Sequence, residues 1–508
     1  MKNLYALARP LAALLLAAVA QQTSAAAAQT SRDTVAYDQR RLLAGHVTRR
    51  LGFGPTPAEL DAIASTGIEA WIDAQLSPAS IDDSAAEARF VPIPTDIGDS
   101  AWPRRWLTRM IYSRRQLQEK MTLVWHEHFA NSVSKVGDYK AMNAQEEMFR
   151  RNCLGSFRTM LADVTVDVAM LVYLDNNYNM GRDYDGSYVV PNENYARELL
   201  QLFALGTDRL NLDGTPVLGE DGLPEPAYSE RDVREVARAL TGWYAYYTDP
   251  GGYVGPFFDP AIHDPRPKSV MGATLPGRDG EDGGNEVFDV VDLLMTNPTM
   301  APFVSKSLIV KLATETPTPG YVARVATVFR DSDGDLGATV RAIATDPEFI
   351  SAAVVRTGYK TPLEHYVGQM RALGVTTHGV EMLSWTSYTG HQPFAPPSVF
   401  SFYRPGQKGS LVTASQVAFF DTFADALLDG FSDELADVSF DARALMAEHR
   451  IRRPRKAVDF LADRLLAAPL DPRVRAVILR YLGRGRVSEE KFRGAAWLII
   501  TSPDYQLN

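Results

Sequence analysis

The chain has very little cysteine, since Cys153 is the only one in 508 residues. A single thiol cannot form an intramolecular disulfide, so the fold must be held by burial of its core. A chain of this length can bury enough, because a domain of this size hides about three-quarters of the surface that its unfolded chain exposes. The cysteine count therefore excludes a small disulfide-stabilised scaffold.

Several common functional motifs are also missing. The chain has no serine nucleophile elbow, no phosphate-cradling glycine loop and no dinucleotide fingerprint. No stretch beyond the N-terminus is apolar enough to cross a membrane. The formal net charge of -10 argues against a general nucleic-acid binder and against binding to anionic membrane surfaces. The sequence therefore predicts no nucleic-acid partner.

The N-terminus is typical of a cleavable secretory signal. Lys2 and Arg9 precede an apolar run at residues 11–20, and small residues continue to Ala28. The apolar run is far shorter than the roughly 20 residues that span a bilayer. We expect a signal peptide at residues 1–28, cut after Ala20 or within residues 25–28, and a flexible mature N-terminus at 29–39. The protein is then periplasmic or secreted, with no transmembrane segment after cleavage.

Helical periodicity dominates the rest of the chain. Leu117, Met121 and Val124 follow a spacing of three and four, as do many later apolar residues, and no convincing run alternates as a strand does. We predict a mainly α, large multi-helix globular protein with long functional loops and little β structure, at most a short hairpin. Residues 40–407 form the main helical domain, and a C-terminal helical region, 408–508, packs on it.

A histidine pair lies in the phrase Trp-His-Glu-His-Phe at residues 125–129. Histidines two positions apart suit a metal on a strand, but on a helix His126 and His128 point about 200° apart. The pattern therefore predicts no metal ligands here. One of these histidines is interpreted as a packed structural residue, and His126 is also a candidate that assists catalysis.

A second polar group opens a helix after a long loop. Glu193 and Arg197 are four residues apart, as are Asn194 and Glu198, and such spacing favours an ion pair and a polar helix face. The same groups also suit a site for a hydroxyl-rich or charged ligand. Under that hypothesis Glu198 is the catalytic general acid or base, while Glu193, Asn194 and Arg197 bind the substrate.

A third polar group extends through residues 228–264. Ser229 three residues before Asp232 is a helix-start signature, and capping explains most of this phrase. Clustered aromatics after Trp243 form a small core or a face for sugar rings. His263 is a further catalytic candidate, and Asp232, Trp243 and Asp264 are candidate substrate-binding residues.

An acidic run at residues 331–335 looks like the start of a calcium loop. It departs from the full pattern, because Gly334 comes two positions early and Ala342 stands where the bidentate Glu belongs. Asp335 more simply caps the helix that starts at Leu336. The sequence thus assigns no metal and identifies no cofactor.

Taken together, these phrases resemble the domain-of-unknown-function 1800 family of exported bacterial proteins. The phrases that carry the resemblance occur in the same order as in the family and span nearly the whole mature chain. They are residues 50–56, 121–129, 171–175, 192–198, 205–206, 232–243, 263–264, 359–362 and 502–505. The resemblance implies a long, single, mostly helical, exported unit. It implies no established activity.

One departure from the family pattern follows Pro396-Pro397-Ser398-Val399. The pattern continues with a Lys-Gly-Trp phrase, whereas this chain reads Phe400-Ser401-Phe402-Tyr403. The resemblance implies that a ligand site shaped by this phrase differs in this member.

Three functional hypotheses remain open from the sequence. The leading one is an extracytoplasmic hydrolase that acts on a polar polymer, either polysaccharide or cell-envelope material. The second is a non-catalytic envelope or secreted protein that binds a partner protein or a glycan through its aromatic loop. The third is a metal-dependent enzyme, for which the ligand spacings are poor.

Overall fold

The computed structural model describes residues 37–96, 98–248, 251–404, 406–429 and 438–508. The signal peptide predicted at residues 1–28 and most of the mature N-terminus predicted at 29–39 lie outside the described residues. Within the described part, the chain forms 23 α-helices and four short β-strands. The prediction of a mainly α globular protein with little β structure is confirmed.

The N-terminal third is entirely helical where it is regular. Several of these helices start at a polar cap, and Thr56 forms a capping box with Glu59. The helices are α1 (Gln39–Arg50), α2 (Pro57–Thr66), α3 (Ile68–Gln75), α4 (Ser84–Glu87), α5 (Ala101–Tyr112), α6 (Gln116–His128), α7 (Val133–Val136), α8 (Tyr139–Asn152), α9 (Phe157–Thr165) and α10 (Val168–Tyr173), with a 3₁₀ turn at Pro78–Ser80.

The middle of the chain contains the long loops and the strands. Helix α11 (Asn194–Glu198) continues directly into a π-helix (Leu199–Ala204), and α12 (Glu230–Ala239) follows after a loop. Two antiparallel hairpins come next, where the sequence predicted at most one. They are β1 (Trp243–Thr248) paired with β2 (Gly252–Phe258), and β3 (Lys268–Val270) paired with β4 (Ala273–Leu275).

Helices resume after a 3₁₀ turn at Gly280–Asn285 and continue to the end of the chain. Asp335 caps α16 by accepting from the Ala338 N–H at 2.8 Å, which confirms the capping interpretation of the acidic run. The helices are α13 (Glu286–Met295), α14 (Met300–Leu312), α15 (Pro319–Asp331), α16 (Leu336–Thr345), α17 (Pro362–Leu373), α18 (Val380–Tyr388), α19 (Ala414–Asp429), α20 (Ala442–Glu448), α21 (Pro454–Leu466), α22 (Pro472–Leu482) and α23 (Glu489–Ile500), with a 3₁₀ turn at Lys408–Leu411.

A continuous apolar core joins these elements. Helix α6 packs on α8, α14 packs on α15 and on the π-helix, and α17 packs on α21. One core cluster extends from Ala44 to Tyr505 and includes fully buried Trp106 and Trp125. Residues on both sides of the predicted boundary at 407/408 enter this core, and the boundary itself stays a prediction.

Candidate functional site

A cavity of about 460 Å³ opens at the end of α6, between the π-helix and α14. Its wall comes from four parts of the chain: the last two residues of α6, residues 201–210, residues 303–315 and residues 399–406. Ligand pockets in proteins span about 300–1,000 Å³, so this cavity can hold a small molecule or one unit of a polymer.

Helix α14 contributes one polar face to this cavity. Phe303, Lys306, Ser307, Val310 and Lys311 line the wall, and their spacing of three and four places them on one side of the helix. The opposite side of α14 is apolar and belongs to the core. The amphipathic sequence of this helix therefore directs its lysines and serine into the cavity.

Glu127 is the buried charge of the cavity wall, with a relative exposure of 6%. Lys311 forms an ion pair with its Oε2 atom. The Tyr403 hydroxyl donates to the same oxygen at 3.2 Å, and His391 Nε2 lies 3.2 Å from Oε1. Because an ionised carboxylate only accepts hydrogen bonds, His391 must donate through Nε2.

The protonation states of this cluster follow from burial and from the Glu127 charge. Burial opposes ionisation of Glu127, but the Lys311 charge and the His391 hydrogen bond outweigh it and hold the pKa of Glu127 well below its ordinary value. Burial lowers the pKa of His391, which stays neutral. Burial and the nearby carboxylate raise the pKa of Tyr403 well above its usual range. The wall thus presents fixed hydrogen-bond donors around one anion.

His128 and Ser307 form a second pair on the same wall. His128 Nε2 lies 2.9 Å from the Phe203 carbonyl oxygen, and a carbonyl only accepts, so Nε2 carries the proton. The Ser307 Oγ atom lies 3.5 Å from His128 Nδ1. Burial lowers the pKa of His128 to about 4, so the ring is neutral near pH 7 and Nδ1 is an acceptor.

The π-helix makes the Phe203 carbonyl free to accept this proton. The last carbonyls of any helix lack an intrahelical donor, and here the Leu205 and Gly206 N–H groups both turn back to the Leu200 oxygen, at 2.9 and 3.2 Å. Phe203 therefore offers its oxygen to His128. Packing of the π-helix against α14 brings this oxygen, His128 and Ser307 together.

The segment Phe400-Ser401-Phe402-Tyr403 supplies another part of the wall. Ser401 has a left-handed backbone with φ of +66°, a conformation that is costly for a residue other than glycine. Its hydroxyl is buried and has no hydrogen-bond partner among the described residues. The phrase that the sequence analysis expects to depart from the family pattern therefore contributes to the cavity wall.

A second buried carboxylate, Glu364, lies behind the first. Lys120 forms an ion pair with it, and Lys408 Nζ lies 3.3 Å from its Oε2 atom. These two charges overcome the effect of burial and hold the pKa of Glu364 well below its ordinary value. A void of about 10 Å³, room for about one water, touches both Glu127 and Glu364. This void lies between the surroundings of the two carboxylates.

His126 lies on a different side of α6 from His128. It is buried, its ring centroid is 5.3 Å from that of Trp106, and its Nε2 accepts from the Phe394 N–H at 3.3 Å. The two histidines therefore face different surroundings, as the helical spacing predicted. The catalytic role proposed for His126 stays a prediction.

Glu198 is half-buried near the end of α11 and makes no hydrogen bond with any residue that the structure describes. Burial raises its pKa, and the neighbouring Arg197 charge opposes that shift. Gln201 and Leu202, one helical turn further along, line the cavity. Glu198 therefore lies next to the cavity wall, and its catalytic role stays a prediction.

His263 belongs to a separate buried network. Its Nε2 atom lies 3.4 Å from Glu286 Oε1, and Glu286 also forms an ion pair with Lys268. Its Nδ1 atom lies 3.0 Å from the Thr241 carbonyl oxygen. No hydrogen bond joins His126, Glu198 and His263 within the described ranges. The three catalytic candidates lie in three different parts of the structure: His126 is on α6, Glu198 is on α11, and His263 is in the loop between β2 and β3.

Of the candidate substrate-binding residues, Glu193 lines a cleft of about 350 Å³ and the other five do not. Arg197 bridges Glu193 and Glu230 at 3.1 and 2.7 Å. This confirms the predicted ion pair of Glu193 with Arg197. Asn194 Nδ2 donates instead to Asp175, at 3.0 Å.

The other three candidates have structural contacts near this cleft. Asp232 forms the predicted capping box with Ser229 and accepts from the Met271 N–H at 2.6 Å. Asp264 is buried and accepts from two arginines, and these hydrogen bonds hold its pKa well below the ordinary range despite its burial. Trp243 packs on Phe258 with ring centroids 5.3 Å apart.

Four arginines make the cleft positive: Arg231, Arg234, Arg238 and Arg266. Arg238 and Arg266 are held by Asp264. Arg231 and Arg234 form no hydrogen bond or ion pair with the residues described in the structure. Their guanidinium groups therefore remain available to an anionic or hydroxyl-rich ligand.

Sequence reasoning missed the residues that meet in the cavity. Glu127 and His128 stand beside His126 in the phrase that was considered, but Ser307, Lys311 and Tyr403 come from segments more than 170 positions away in the chain. No local spacing connects them. The positive signal was the break in the family pattern at residues 400–403.

The described residues contain neither a metal-binding cluster nor a membrane-spanning helix. No group of three or more His, Cys, Asp or Glu side chains among the described residues is arranged to hold a metal ion. In the same part of the chain, none of the helices combines the length and the apolar character needed to cross a membrane.

Comparison with known proteins identifies a family and no individual relative. A family profile described as "Protein of unknown function (DUF1800)" matches residues 46–507. Comparisons with curated proteins and with solved structures gave no match.

Proposed function

Since this chain belongs to the DUF1800 family, a family of unknown function, we propose a function from its own geometry: it is a hydrolase that acts on a polar polymer outside the cytoplasm, with its reaction centre in the cavity beside Glu127. The observation that carries this proposal is the set of oriented polar groups in a concave wall. Glu127, Lys311 and Tyr403 stand there next to His128 and Ser307. Titratable groups with strongly shifted pKa values in a cavity are typical of reaction centres.

The neighbouring arginine cleft supports a polymeric substrate. Glu193 lines the cleft, and Leu202 lines the cavity. Glu193 is the N-cap of α11, and Leu202 lies in the π-helix that continues α11, so the cleft and the cavity lie along one continuous helical segment. A chain of polar units can therefore occupy the cleft while one unit enters the cavity. Polysaccharide and cell-envelope material fit this description.

The location outside the cytoplasm is part of the proposal. It rests on the charged, apolar and small-residue order of residues 1–28. A periplasmic or secreted hydrolase meets such polymers directly.

The test is turnover of defined polymers by the purified full chain. Panels of polysaccharides and peptidoglycan are incubated over a range of pH and metal conditions, and soluble products are measured by mass spectrometry. Tyr403→Phe removes one oriented hydroxyl, and we expect turnover to fall on the order of 100-fold. Tyr388→Phe is the matched control, because the Tyr388 ring is 63% exposed and lies outside the cavity. No product from any polymer would refute the proposal.

A competing centre around Glu198, assisted by His126 or His263, is tested by Glu198→Gln. Glu198 has no hydrogen-bond partner among the described residues, so we expect the free energy of unfolding to change by no more than about 0.5 kcal/mol. Loss of turnover with an intact fold would favour Glu198 as the acid or base. Unchanged turnover, together with the Tyr403→Phe loss, would favour the cavity centre.

A non-catalytic binding protein for a glycan or a partner protein is the second candidate. It is favoured by the β1–β2 hairpin, where Tyr246, Tyr247 and Phe257 are 51%, 50% and 49% exposed. Aromatic faces of this kind suit sugar rings and protein partners. In this case Tyr247→Ala weakens ligand binding in calorimetry, while Tyr403→Phe leaves it unchanged.

A further inference from the structure

We propose that Ser307 is a nucleophile, that His128 is its general base, and that the bond cleaved is the ester of an acyl group carried by the substrate. This inference deepens the proposed function, because it names the bond that the hydrolase attacks. It rests on the positions of three atoms that the sequence does not bring together: Ser307 Oγ, His128 Nδ1 and the Phe203 carbonyl oxygen.

The arrangement of the histidine is that of a general base held in one tautomer. The Phe203 oxygen, 2.9 Å from Nε2, fixes the ring proton there. Nδ1 is left with a free lone pair, and Ser307 Oγ lies 3.5 Å from it. A nucleophile next to a base, with the base oriented by a third group, is the recurring pattern of acyl transfer. Here a backbone carbonyl takes the orienting role.

The serine is also accessible from the side of the substrate. Ser307 is partly exposed and lines the cavity, as does His128. Ser305 on the same helix gives the contrast, since it is fully buried and its hydroxyl has no partner among the described residues. Of these two serines, Ser307 is the one that combines an imidazole neighbour with an opening to the cavity.

The reaction balances in atoms and charge with water as the second reactant. Ser307 Oγ attacks the ester carbonyl carbon while its proton moves to His128 Nδ1. The tetrahedral oxyanion collapses, the alcohol leaves with the proton from His128, and the acyl group stays on Ser307. Water then attacks the acyl carbon and gives a proton to His128, the bond from the acyl carbon to Ser307 Oγ breaks, and His128 returns the proton to Oγ as the carboxylic acid is released. The Lys311 ammonium, one helical turn after Ser307 on the same wall, can stabilise the oxyanion.

An ester is the acyl bond that suits this base. The partner that orients His128 is the neutral Phe203 carbonyl rather than a carboxylate, so no anion stabilises the protonated ring, and burial lowers its pKa to about 4; the ring is therefore a weak base near pH 7. An ester releases an alkoxide and is cleaved more readily than an amide, which must lose an amine. Polar polymers carry such esters as acyl groups on their hydroxyls. The inferred reaction is therefore removal of acyl groups from a polar polymer.

A covalent probe tests this inference without knowledge of the natural substrate. The purified full chain is treated with a small fluorophosphonate, and the adduct is located by peptide mass spectrometry. We expect one adduct, on Ser307, and none in Ser307→Ala. Ser305→Ala is the matched control and should label like the unchanged protein. His128→Gln should slow labelling by about 100-fold or more. The labelling rate should be constant above about pH 5 and fall as His128 protonates near pH 4.

A second measurement covers the case in which the fluorophosphonate does not enter the cavity. In Ser307→Cys, we expect iodoacetamide to alkylate the new thiol. The native Cys153 is buried and should not react, so the alkylation reports on position 307. Adding His128→Gln should slow this alkylation at pH 7, since His128 Nδ1 can accept the thiol proton as the sulfur attacks. No adduct at position 307 in either experiment, or rates that ignore His128, would overturn the inference.

The outcomes also separate this inference from the proposed function. Labelling of Ser307 with no product from any polymer would keep the nucleophile and remove the polymer substrate. Polymer cleavage that survives Ser307→Ala would keep the hydrolase and remove the nucleophile.

Discussion

Glu127 is a buried carboxylate held by Lys311, Tyr403 and His391. Such a cluster is a poor way to gain stability, because well-packed apolar residues of the same volume often leave a protein equally stable or more stable by about 1–4 kcal/mol. Its position on a cavity wall is the basis of the hydrolase proposed above. The distinguishing feature of these residues is that Glu127 and Lys311 hold opposite charges at fixed positions away from bulk water.

Removing the partner cation should expose the cost of this buried charge. Lys311→Met keeps the length of the side chain and leaves Glu127 without its counter-charge, so we expect the free energy of unfolding at pH 7 to fall by about 3–5 kcal/mol. Urea denaturation measures the change. Lys306→Met, on the same helix but exposed, should change it by no more than about 0.5 kcal/mol. A small loss in Lys311→Met would contradict the assignment of a buried ion pair.

At the scale of elements, the π-helix at Leu199–Ala204 decides the geometry of the cavity. π-helices are rare and often occur at functional sites. This one leaves the Phe203 carbonyl for His128, and Gly206, two residues after its last residue Ala204, has φ of +79°. The Phe303 ring approaches within 2.9 Å of the place where a Cβ atom on Gly206 would lie. The position of the π-helix end is therefore linked to that of the Phe303 ring, which lines the cavity.

Gly206→Ala tests this coupling against a matched glycine. Both the left-handed backbone and the clash with Phe303 oppose a methyl group there, so we expect a loss of more than about 1 kcal/mol in unfolding free energy. Gly186→Ala has a similar φ of +87° with open space around the new methyl group. It carries the backbone cost alone. Equal losses in the two variants, measured by urea denaturation, would show that Phe303 does not constrain the helix end.

At the scale of the whole molecule, many histidines are buried and neutral. Burial lowers the pKa of His46, His126, His128, His365 and His391. An unfolded histidine takes up its proton near pH 6.5. Between that pH and the lowered pKa, the unfolded chain binds more protons than the folded chain, so stability is lost as the pH falls.

We expect His126 by itself to account for a measurable part of the unfolding free energy that is lost as the pH falls. Its folded pKa of about 4 means that its contribution is fully present above about pH 6.5 and is lost as the pH falls to about 4. The shift corresponds to about 3 kcal/mol. His126→Gln should therefore show a smaller loss of unfolding free energy between pH 7 and pH 4.5 than the unchanged chain. Identical pH dependence in urea titrations would contradict a buried neutral His126.

The fold class was predictable because the apolar spacing and the polar caps of helices are visible in short stretches of the sequence. Apolar spacing of three and four predicted the helices around residues 117–128 and 195–203, and polar caps predicted the starts of α12 and α16. The hairpin β1–β2 was harder, since strand pairing depends on contacts between residues far apart in the sequence. Capping and ion pairing account for Asp232, Glu193 and Arg197 as the sequence indicated.

The sequence by itself determined the helical class, the caps and the apolar faces, because each depends on residues within a few positions of one another. It also determined that Glu127 and His128 leave the end of α6 about 100° apart. Only the tertiary structure decided which charges meet. Packing of the π-helix on α14, and of residues 399–406 against α6, brings Ser307, Lys311 and Tyr403 to these two side chains. A buried charge needs its partners within a few ångströms, and that distance is set by the packing of whole helices.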